Sequence, residues 1–237
     1  SRRITPLEGE GMARGSPGPC MPIRRQRSAL PPVDLVRLLE RTRTRPLMEA
    51  RREGRILSLQ EVRSLEHEGM ERALVYKTAI LTGIRRGELE QLTWGDLDLD
   101  SQRPTLRVKA SASKNGREAY QVVRQDLGAD LAAWRTMNPQ AQEGAAIFRV
   151  PVTINQDLKK DLAAAEIDYE DAQGRVFDFH SFRHCTATLL RRAKVDPRLS
   201  QAVMRHSDIR LLPPPRTGGR SGRASSAAPL SMSWRSV

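Results

Sequence analysis

The sequence feature that most limits the possible folds is a hairpin signal, Asn115-Gly116. It lies between two short stretches of alternating hydrophobicity, residues 105–108 and 120–123. Asn-Gly is preferred in two-residue β-hairpin turns, because both positions of such a turn adopt a positive φ. The chain before residue 105 and after residue 123 has helical periodicity instead. We therefore predict a mainly α-helical α+β fold with one small antiparallel β-hairpin or sheet.

Helical spacing of apolar residues recurs along the rest of the chain. It predicts helices over residues 32–40, 72–81, 88–97, 126–136, 154–166 and 180–190. Ser58 and Glu61 have the spacing of a capping box, which predicts another helix start at Ser58. Pro197, after Asp196, suits the first turn of a further helix. The arginine-rich residues 41–55 are weakly patterned, and we expect a solvated connector there.

A cluster of basic side chains begins the helix predicted at residues 180–190. His180, Arg183 and His184 are three and four residues apart, so a helix would place all three on one cationic face. Three of the chain's four Phe lie close by, between residues 177 and 182, and they predict an apolar wall behind this face. The alternative is a helix start with merely solvated side chains.

A second basic residue, Arg85, is expected at a fixed position between two helices. Gly83 follows the run 72–81 and is a natural residue to end a helix in the left-handed conformation. It would hold Arg85 in the tight turn that leads to the next helix. A guanidinium binds phosphate oxygens bidentately and stays charged at any working pH. Arg85 and Arg183 together are therefore candidates for a phosphodiester-binding pocket.

Three segments then resemble the boxes of the tyrosine recombinase (phage integrase) family. Residues 82–89 (TGIRRGEL) are similar to its first-arginine box, residues 180–184 (HSFRH) to its His-x-x-Arg box, and residues 204–207 (MRHS) to its third, histidine-bearing box. Their order and spacing also agree. The resemblance implies a recombinase-like catalytic domain over residues 30–210, which breaks and rejoins DNA through a 3′-phosphotyrosine.

The resemblance also implies a role for each site residue. Arg85 and Arg183 would stabilise the charge that develops on the phosphate, and His206 would donate a hydrogen bond to it. His180 would manage the proton near the nucleophile. Lys114, at the tip of the predicted hairpin, would protonate the leaving 5′ oxygen, although a lysine at such a tip can also serve solubility alone. The reaction would need no metal and no other cofactor, because the covalent intermediate keeps the bond energy.

A metal site is the alternative interpretation of the histidines. His180 and His184 have the spacing of two zinc ligands on a helix, and His206 could be a third. Ser181, however, stands where a zinc protease carries its glutamate, and Arg183 on the same face would repel a dication. We therefore expect no bound metal.

Charge supports a nucleic-acid partner. The chain of 237 residues carries 40 Lys and Arg against 28 Asp and Glu, a net charge of +12, which is typical of a polyanion binder. A solvated basic protein would have the same composition. Two Cys are too few for a disulfide framework, and no apolar run or signal sequence indicates a membrane. We expect a cytoplasmic protein that binds double-stranded DNA as a homo-oligomer.

Both ends of the chain depart from the family. Residues 1–29 are rich in Pro, Gly and Arg, and we expect a disordered or remnant segment. No tyrosine follows His206, where the family has its nucleophile, since the chain's tyrosines are Tyr76, Tyr120 and Tyr169. We therefore predict either a mobile-element recombinase or integrase that is defective in cleavage or a non-catalytic DNA-binding protein that retains the phosphate pocket.

The tail over residues 211–237 suggests why the tyrosine is missing. Pro213, Pro214 and Pro215 have CCN codons, Arg216 can have CGT, and Thr217 has ACN. Read from the last base of the preceding codon, these bases become NCC, NCC, NCC, NCG and TAC, and TAC encodes tyrosine. The residues from 212 onwards contain no Asp, Glu or Lys. We therefore expect a disordered tail translated out of frame; a genuine basic tail is the alternative.

Overall fold

A computed structural model describes residues 26–113 and 116–205, and this part of the chain is mainly α-helical. The α-helices are α1 (Pro32–Arg52), α2 (Leu59–Thr82), α3 (Arg86–Glu90), α4 (Gln125–Met137), α5 (Ile154–Ala164), α6 (Ser181–Arg192) and α7 (Pro197–Met204). The strands are β1 (Leu97–Asp98), β2 (Thr105–Val108) and β3 (Ala119–Val122). The predicted α+β class is confirmed. No helix among these residues is long and apolar enough to cross a membrane.

Helix α2 lies at the centre of the fold and packs against α1, α4 and α6. It begins at the predicted capping box, in which Ser58 Oγ accepts a hydrogen bond from the Glu61 N–H and the Glu61 carboxylate accepts one from the Ser58 N–H. It ends at Gly83, whose φ of 63° is left-handed as expected. A Cβ there would lie 3.0 Å from Met204 Sδ, so glycine also permits the close approach of α7.

The prediction of a short first helix and a solvated connector was wrong. Helix α1 continues without interruption to Arg52. The reason is Arg45, which is buried and donates to Asp161 of α5 and to Glu49 one turn further along α1. These ion pairs hold the arginine-rich half of α1 against the core instead of leaving it in solvent.

The prediction of a helix over residues 88–97 was also wrong. Helix α3 ends at Glu90, and a 3-10 helix, Trp94–Asp96, follows before β1. The buried Asp96 carboxylate accepts hydrogen bonds from the Thr93 N–H and hydroxyl. This local bonding starts a new, tighter turn and directs the chain into the sheet.

The sheet is antiparallel with the strand order β1-β2-β3. Leu106 is paired with Gln121 in the hairpin formed by β2 and β3, and the predicted strand positions are confirmed to within one residue. The prediction of a two-residue turn at Asn115-Gly116 was wrong, because the pairing ends at Val108 and Ala119 and ten residues, 109–118, connect the strands. Gly116 within this connection has a positive φ of 63°. Lys114 and Asn115 lie outside the described residues.

Helices α6 and α7 complete the core. His180 is the N-cap residue of α6, and the Asp196 carboxylate caps α7 by accepting from the N–H groups of residues 198 and 199. The predicted apolar wall is confirmed. Phe182 packs against Phe177 and Phe179, with ring centroids 5.3 Å apart in both pairs, and against Tyr76 at 5.0 Å.

Candidate functional site

Three structural elements converge on the turn that ends α2. Arg85 is the N-cap residue of α3, directly after this turn. Arg183 reaches the same turn from α6, and its buried guanidinium donates from Nη1 to the Gly83 carbonyl and from Nη2 to the Met204 carbonyl. Arg183 thereby joins the ends of α2 and α7. The structure brings together Arg85 and Arg183, which are 98 positions apart in the sequence.

Arg183 stays protonated at neutral pH, although its pKa is lowered. Burial lowers the pKa of its guanidinium to about 10, and the neighbouring charges of Arg85 and Arg205 add to this effect. Because a buried guanidinium beside two others is repelled by their charges, an anion that binds next to it is stabilising. The site can therefore bind a phosphate without any change in its own protonation at pH 7.

Glu88 and Arg205 belong to this site, and the sequence interpretation missed both. The buried Glu88 carboxylate accepts hydrogen bonds from Arg85 Nη1 at 3.0 Å and from Arg205 Nη2 at 2.6 Å. Burial acts to raise the pKa of Glu88, but the Arg85 N–H and the two guanidiniums outweigh it and hold the pKa below its ordinary value. Glu88 therefore stays charged and fixes the orientation of both guanidiniums.

The histidines do not share a face with Arg183 as predicted. His180 and His184 lie at the surface with only part of each ring in contact with solvent, and their ring centroids are 5.8 Å apart, whereas the Arg183 side chain turns into the protein. The reason is that His180 precedes the first turn of α6 and that Arg183 finds carbonyl acceptors in the interior. His180 remains close enough to Arg183 to be affected by its charge.

His180 is neutral at pH 7. Partial burial lowers the pKa of its ring to about 4, and the positive charge of Arg27 is the next largest cause. Asp178 acts in the opposite direction and raises the pKa. A neutral imidazole can accept a proton from an attacking hydroxyl, so the structure is compatible with the predicted proton-transfer role.

Arg27 and Asp178 support this end of α6. Arg27 Nε lies 2.8 Å from both carboxylate oxygens of Asp178. Asp178 Oδ1 in turn accepts a hydrogen bond from the Ser181 N–H at the start of the helix. The segment around Arg27 is also held by backbone bonds to Val176. This support was missed because nothing in the sequence near Arg27 indicates a partner.

Gln121 connects the hairpin to the arginine cluster. Its Nε2 donates to the Thr82 carbonyl at 2.9 Å and to the Val203 carbonyl at 2.7 Å. The end of α2, the end of α7 and strand β3 are therefore tied together by one amide. This contact fixes strand β3 against the ends of both helices.

Two predicted site residues, Lys114 and His206, lie outside the described residues. Tyr76 is buried and donates its hydroxyl to Asp161, so it serves the core. Within residues 26–113 and 116–205, no group of three His, Cys, Asp or Glu side chains could hold a metal ion. The described part of the site is thus a cationic cluster with a neutral histidine beside it.

Comparison with known proteins identifies the family and the fold. Residues 49–212 match the phage integrase family. The fold is similar to that of XerH site-specific recombinase bound to difH substrate in a pre-cleavage complex, with a TM-score of 0.55, 18% identity and coverage of 79% of this chain and 49% of that one. It is also similar to the catalytic domain of bacteriophage HP1 integrase (TM-score 0.51, 16% identity, 79% of this chain and 85% of that one).

A lambda integrase tetramer bound to a Holliday junction is similar as well, with a TM-score of 0.53, 18% identity and coverage of 77% of this chain and 48% of that one. At these identities the likeness shows the fold. The chain spans about half the length of the XerH and lambda integrase chains. No curated protein matches the chain.

Proposed function

Since the chain belongs to the phage integrase family, we propose that residues 30–210 form the catalytic domain of a site-specific recombinase that acts on duplex DNA. The observation that carries this proposal is the cluster at the end of α2. There Arg85, Arg183 and Arg205 surround a single carboxylate, Glu88. The cluster has an excess of positive charge, and a DNA phosphodiester can neutralise it.

The proposed chemistry is phosphoryl transfer. Arg85 and Arg183 hold the non-bridging oxygens, on which negative charge develops as a tyrosine oxygen attacks phosphorus and the bond to the 5′ oxygen breaks. His180 takes the proton of the attacking hydroxyl, and Lys114 gives one to the leaving oxygen. His206 donates a hydrogen bond to the phosphate. Each proton and each bond is thereby accounted for without a metal or another cofactor.

The nucleophile of this chemistry is missing, because residues 207–237 contain no tyrosine. We propose that the chain as printed binds DNA but does not cut it, and that residues 211–237 are read out of frame. The family match ends at residue 212, where the change in composition begins, and this supports the proposal. Sequencing the coding DNA tests it. An Arg216 codon that does not end in T refutes it.

A non-catalytic DNA-binding protein is the second candidate, and the missing tyrosine favours it. A suicide substrate, whose nick releases the cleaved strand, separates the two functions. Covalent protein on the nicked DNA after the coding frame is restored supports the recombinase. Covalent protein from the unrestored chain would also support it but would refute the proposed loss of cleavage. Its absence from both forms, with DNA binding retained, supports the binding protein.

We also propose that several copies assemble on the DNA and that the protein acts in the cytoplasm on the DNA of a mobile element. The similarity in fold to a lambda integrase chain that forms a tetramer on a Holliday junction supports the assembly. The net charge of +12 supports the DNA partner.

Binding assays with substituted arginines test the phosphate site. Affinity for duplex DNA should fall steeply with salt, because bound cations of the DNA are released. Arg85→Ala should weaken binding, while Arg86→Ala, the neighbouring arginine that pairs with Glu90, should have little effect. Equal effects of the two variants would contradict a specific site.

A double-mutant cycle then asks whether Arg85 and Arg183 bind one phosphate. Arg183→Ala should weaken binding less when Arg85 is already Ala than when it is intact. Arg85→Lys should not restore binding, since lysine lacks the planar fork. Strict additivity of the two alanine variants would assign the arginines to separate sites.

A further inference from the structure

Arg205 has a backbone conformation that favours glycine. It ends α7 with φ 49° and ψ 44°, in the left-handed region. In L-residues with a side chain the Cβ crowds the following carbonyl there, so the position is normally glycine or asparagine. An arginine at such a position carries a conformational cost, which the contacts of its side chain can offset.

The side chain of Arg205 is directed into the arginine cluster. It is 12% exposed, and Nη2 donates to Glu88 Oε2. The other Glu88 oxygen is bound by Arg85. Its charge also lowers the pKa of Arg183. Three guanidiniums thus lie around one carboxylate, which leaves two positive charges without a counterion among the described residues.

The remaining donors of Arg205 have no acceptor. Its Nε and Nη1 groups are buried and find no hydrogen-bond partner in the part of the chain that the structure describes. Arg183 differs, because two backbone carbonyls already occupy its guanidinium. Buried N–H groups without partners are costly, and on a cation they are best satisfied by an anionic oxygen.

We propose that Arg205 is a third phosphate-binding residue of the site, and this inference rests on the proposed function. Its guanidinium donates to an oxygen of the phosphodiester that Arg85 and Arg183 hold. Glu88 keeps the guanidinium in place through Nη2 and leaves the other donors for the ligand. The left-handed backbone at the end of α7 directs the side chain towards the end of α2, where the phosphate binds.

The affinity of the full chain for duplex DNA at one fixed salt concentration tests the proposal. A hydrogen bond between two charged groups contributes enough to binding that its loss weakens affinity by about tenfold or more. Arg205→Gly removes the guanidinium and relaxes the backbone, and its Kd for a duplex of arbitrary sequence should rise by about tenfold. The matched control is Lys194→Gly, an exposed cation with a left-handed φ of 54° just after α6, for which the Kd should change little.

A second background excludes an indirect effect through Glu88. If Arg205 only neutralised this carboxylate, Arg205→Gly would have no effect on the Kd for DNA in a Glu88→Gln protein. A direct contact predicts a rise in Kd of about tenfold in both backgrounds. No rise in the Glu88→Gln background, or an equal rise for Lys194→Gly, overturns the proposal.

Arg85→Gln, measured in parallel, separates this inference from the proposed function. If Arg85→Gln raises the Kd for DNA and Arg205→Gly does not, the phosphate site stands and the role of Arg205 is refuted. If neither raises it, the phosphate site itself is refuted and the role of Arg205 with it.

Discussion

Asp161 and Glu88 are both buried carboxylates held by two arginines, yet the charges around them are balanced in opposite ways. Asp161 accepts from Arg45 Nε at 2.5 Å and from Arg72 Nε at 3.1 Å, and it joins α1, α2 and α5. Arg45 and Arg72 have second carboxylates as partners. These are Glu49 and Glu68. Three carboxylates therefore serve two guanidiniums in this cluster.

The Glu88 cluster has the reverse ratio, since one carboxylate serves Arg85 and Arg205 and lies beside Arg183. An excess of carboxylates gives an ion network that is complete in the folded protein. An excess of guanidiniums gives one that an anion completes. Unpaired donors alone do not separate the two clusters, because Arg72 Nη2 also lacks a partner among the described residues. The charge ratio does separate them.

The largest expected effect is on stability and comes from the Asp161 cluster. Asp161→Asn keeps the shape of the side chain but leaves two buried guanidiniums without their shared charge. We expect the free energy of unfolding to fall by about 3–5 kcal/mol, measured by urea denaturation. The control is Asp34→Asn, which removes a half-exposed pair with Arg37 and should cost less than about 1 kcal/mol. Similar losses for both variants would show that the Asp161 network does not stabilise the fold.

The next largest effect comes from the Glu88 cluster and concerns anion binding. Inorganic phosphate should raise the free energy of unfolding by about 1.4 kcal/mol at a concentration ten times its Kd. Glu88→Gln should lower this Kd, because it removes the negative charge nearest to the ligand. Arg85→Gln should raise it. Thermal unfolding in phosphate and in chloride at equal ionic strength measures all three proteins.

Asp161→Asn is the matched control for this experiment, since its site is unchanged and it should gain as much from phosphate as the wild-type protein. A phosphate effect that is the same in the Arg85→Gln protein would place the anion elsewhere on the basic surface. The comparison between the clusters would then fail.

The sequence predicted those features that depend on near neighbours. The capping box of Ser58 and Glu61, the left-handed Gly83 and the strands beside Gly116 are each determined within a few residues. The pairing of Arg85 with Arg183 was predicted from chemistry, because two guanidiniums suit one phosphodiester; helical spacing alone cannot place two distant turns together.

The missed contacts join residues far apart in the chain. Arg205 and Glu88 are 117 positions apart, and Arg27 and Asp178 are 151 apart. The full length of α1 was missed for the same reason, since Arg45 is buried only because Asp161 lies 116 positions further on. Charged side chains predict solvent exposure unless their partner is known, and neither periodicity nor local spacing identifies such a partner.

The smallest expected effect is a pair of shifts in the pKa of His180, which lies beside the Glu88 cluster. Its pKa of about 4 lies below the ordinary value of 6.5, so the folded protein favours the neutral ring. The stabilising contribution is complete above about pH 6.5 and is lost as the pH falls through about 4. An NMR titration of the ring, assigned by its absence in His180→Asn, measures the pKa directly.

Arg27 and Asp178 should shift this pKa in opposite directions. Arg27→Gln removes a positive charge and frees the Asp178 carboxylate, so the pKa of His180 should rise towards its ordinary value. Asp178→Asn removes the negative charge and leaves Arg27, so the pKa should fall further. If the pair only held α6 in place, either substitution would loosen the helix, expose the ring and raise the pKa. A rise of the His180 pKa in both variants would therefore show that Arg27 only supports the structure. Shifts of opposite sign would show that the charge of Arg27, in the segment before α1, controls the protonation of His180.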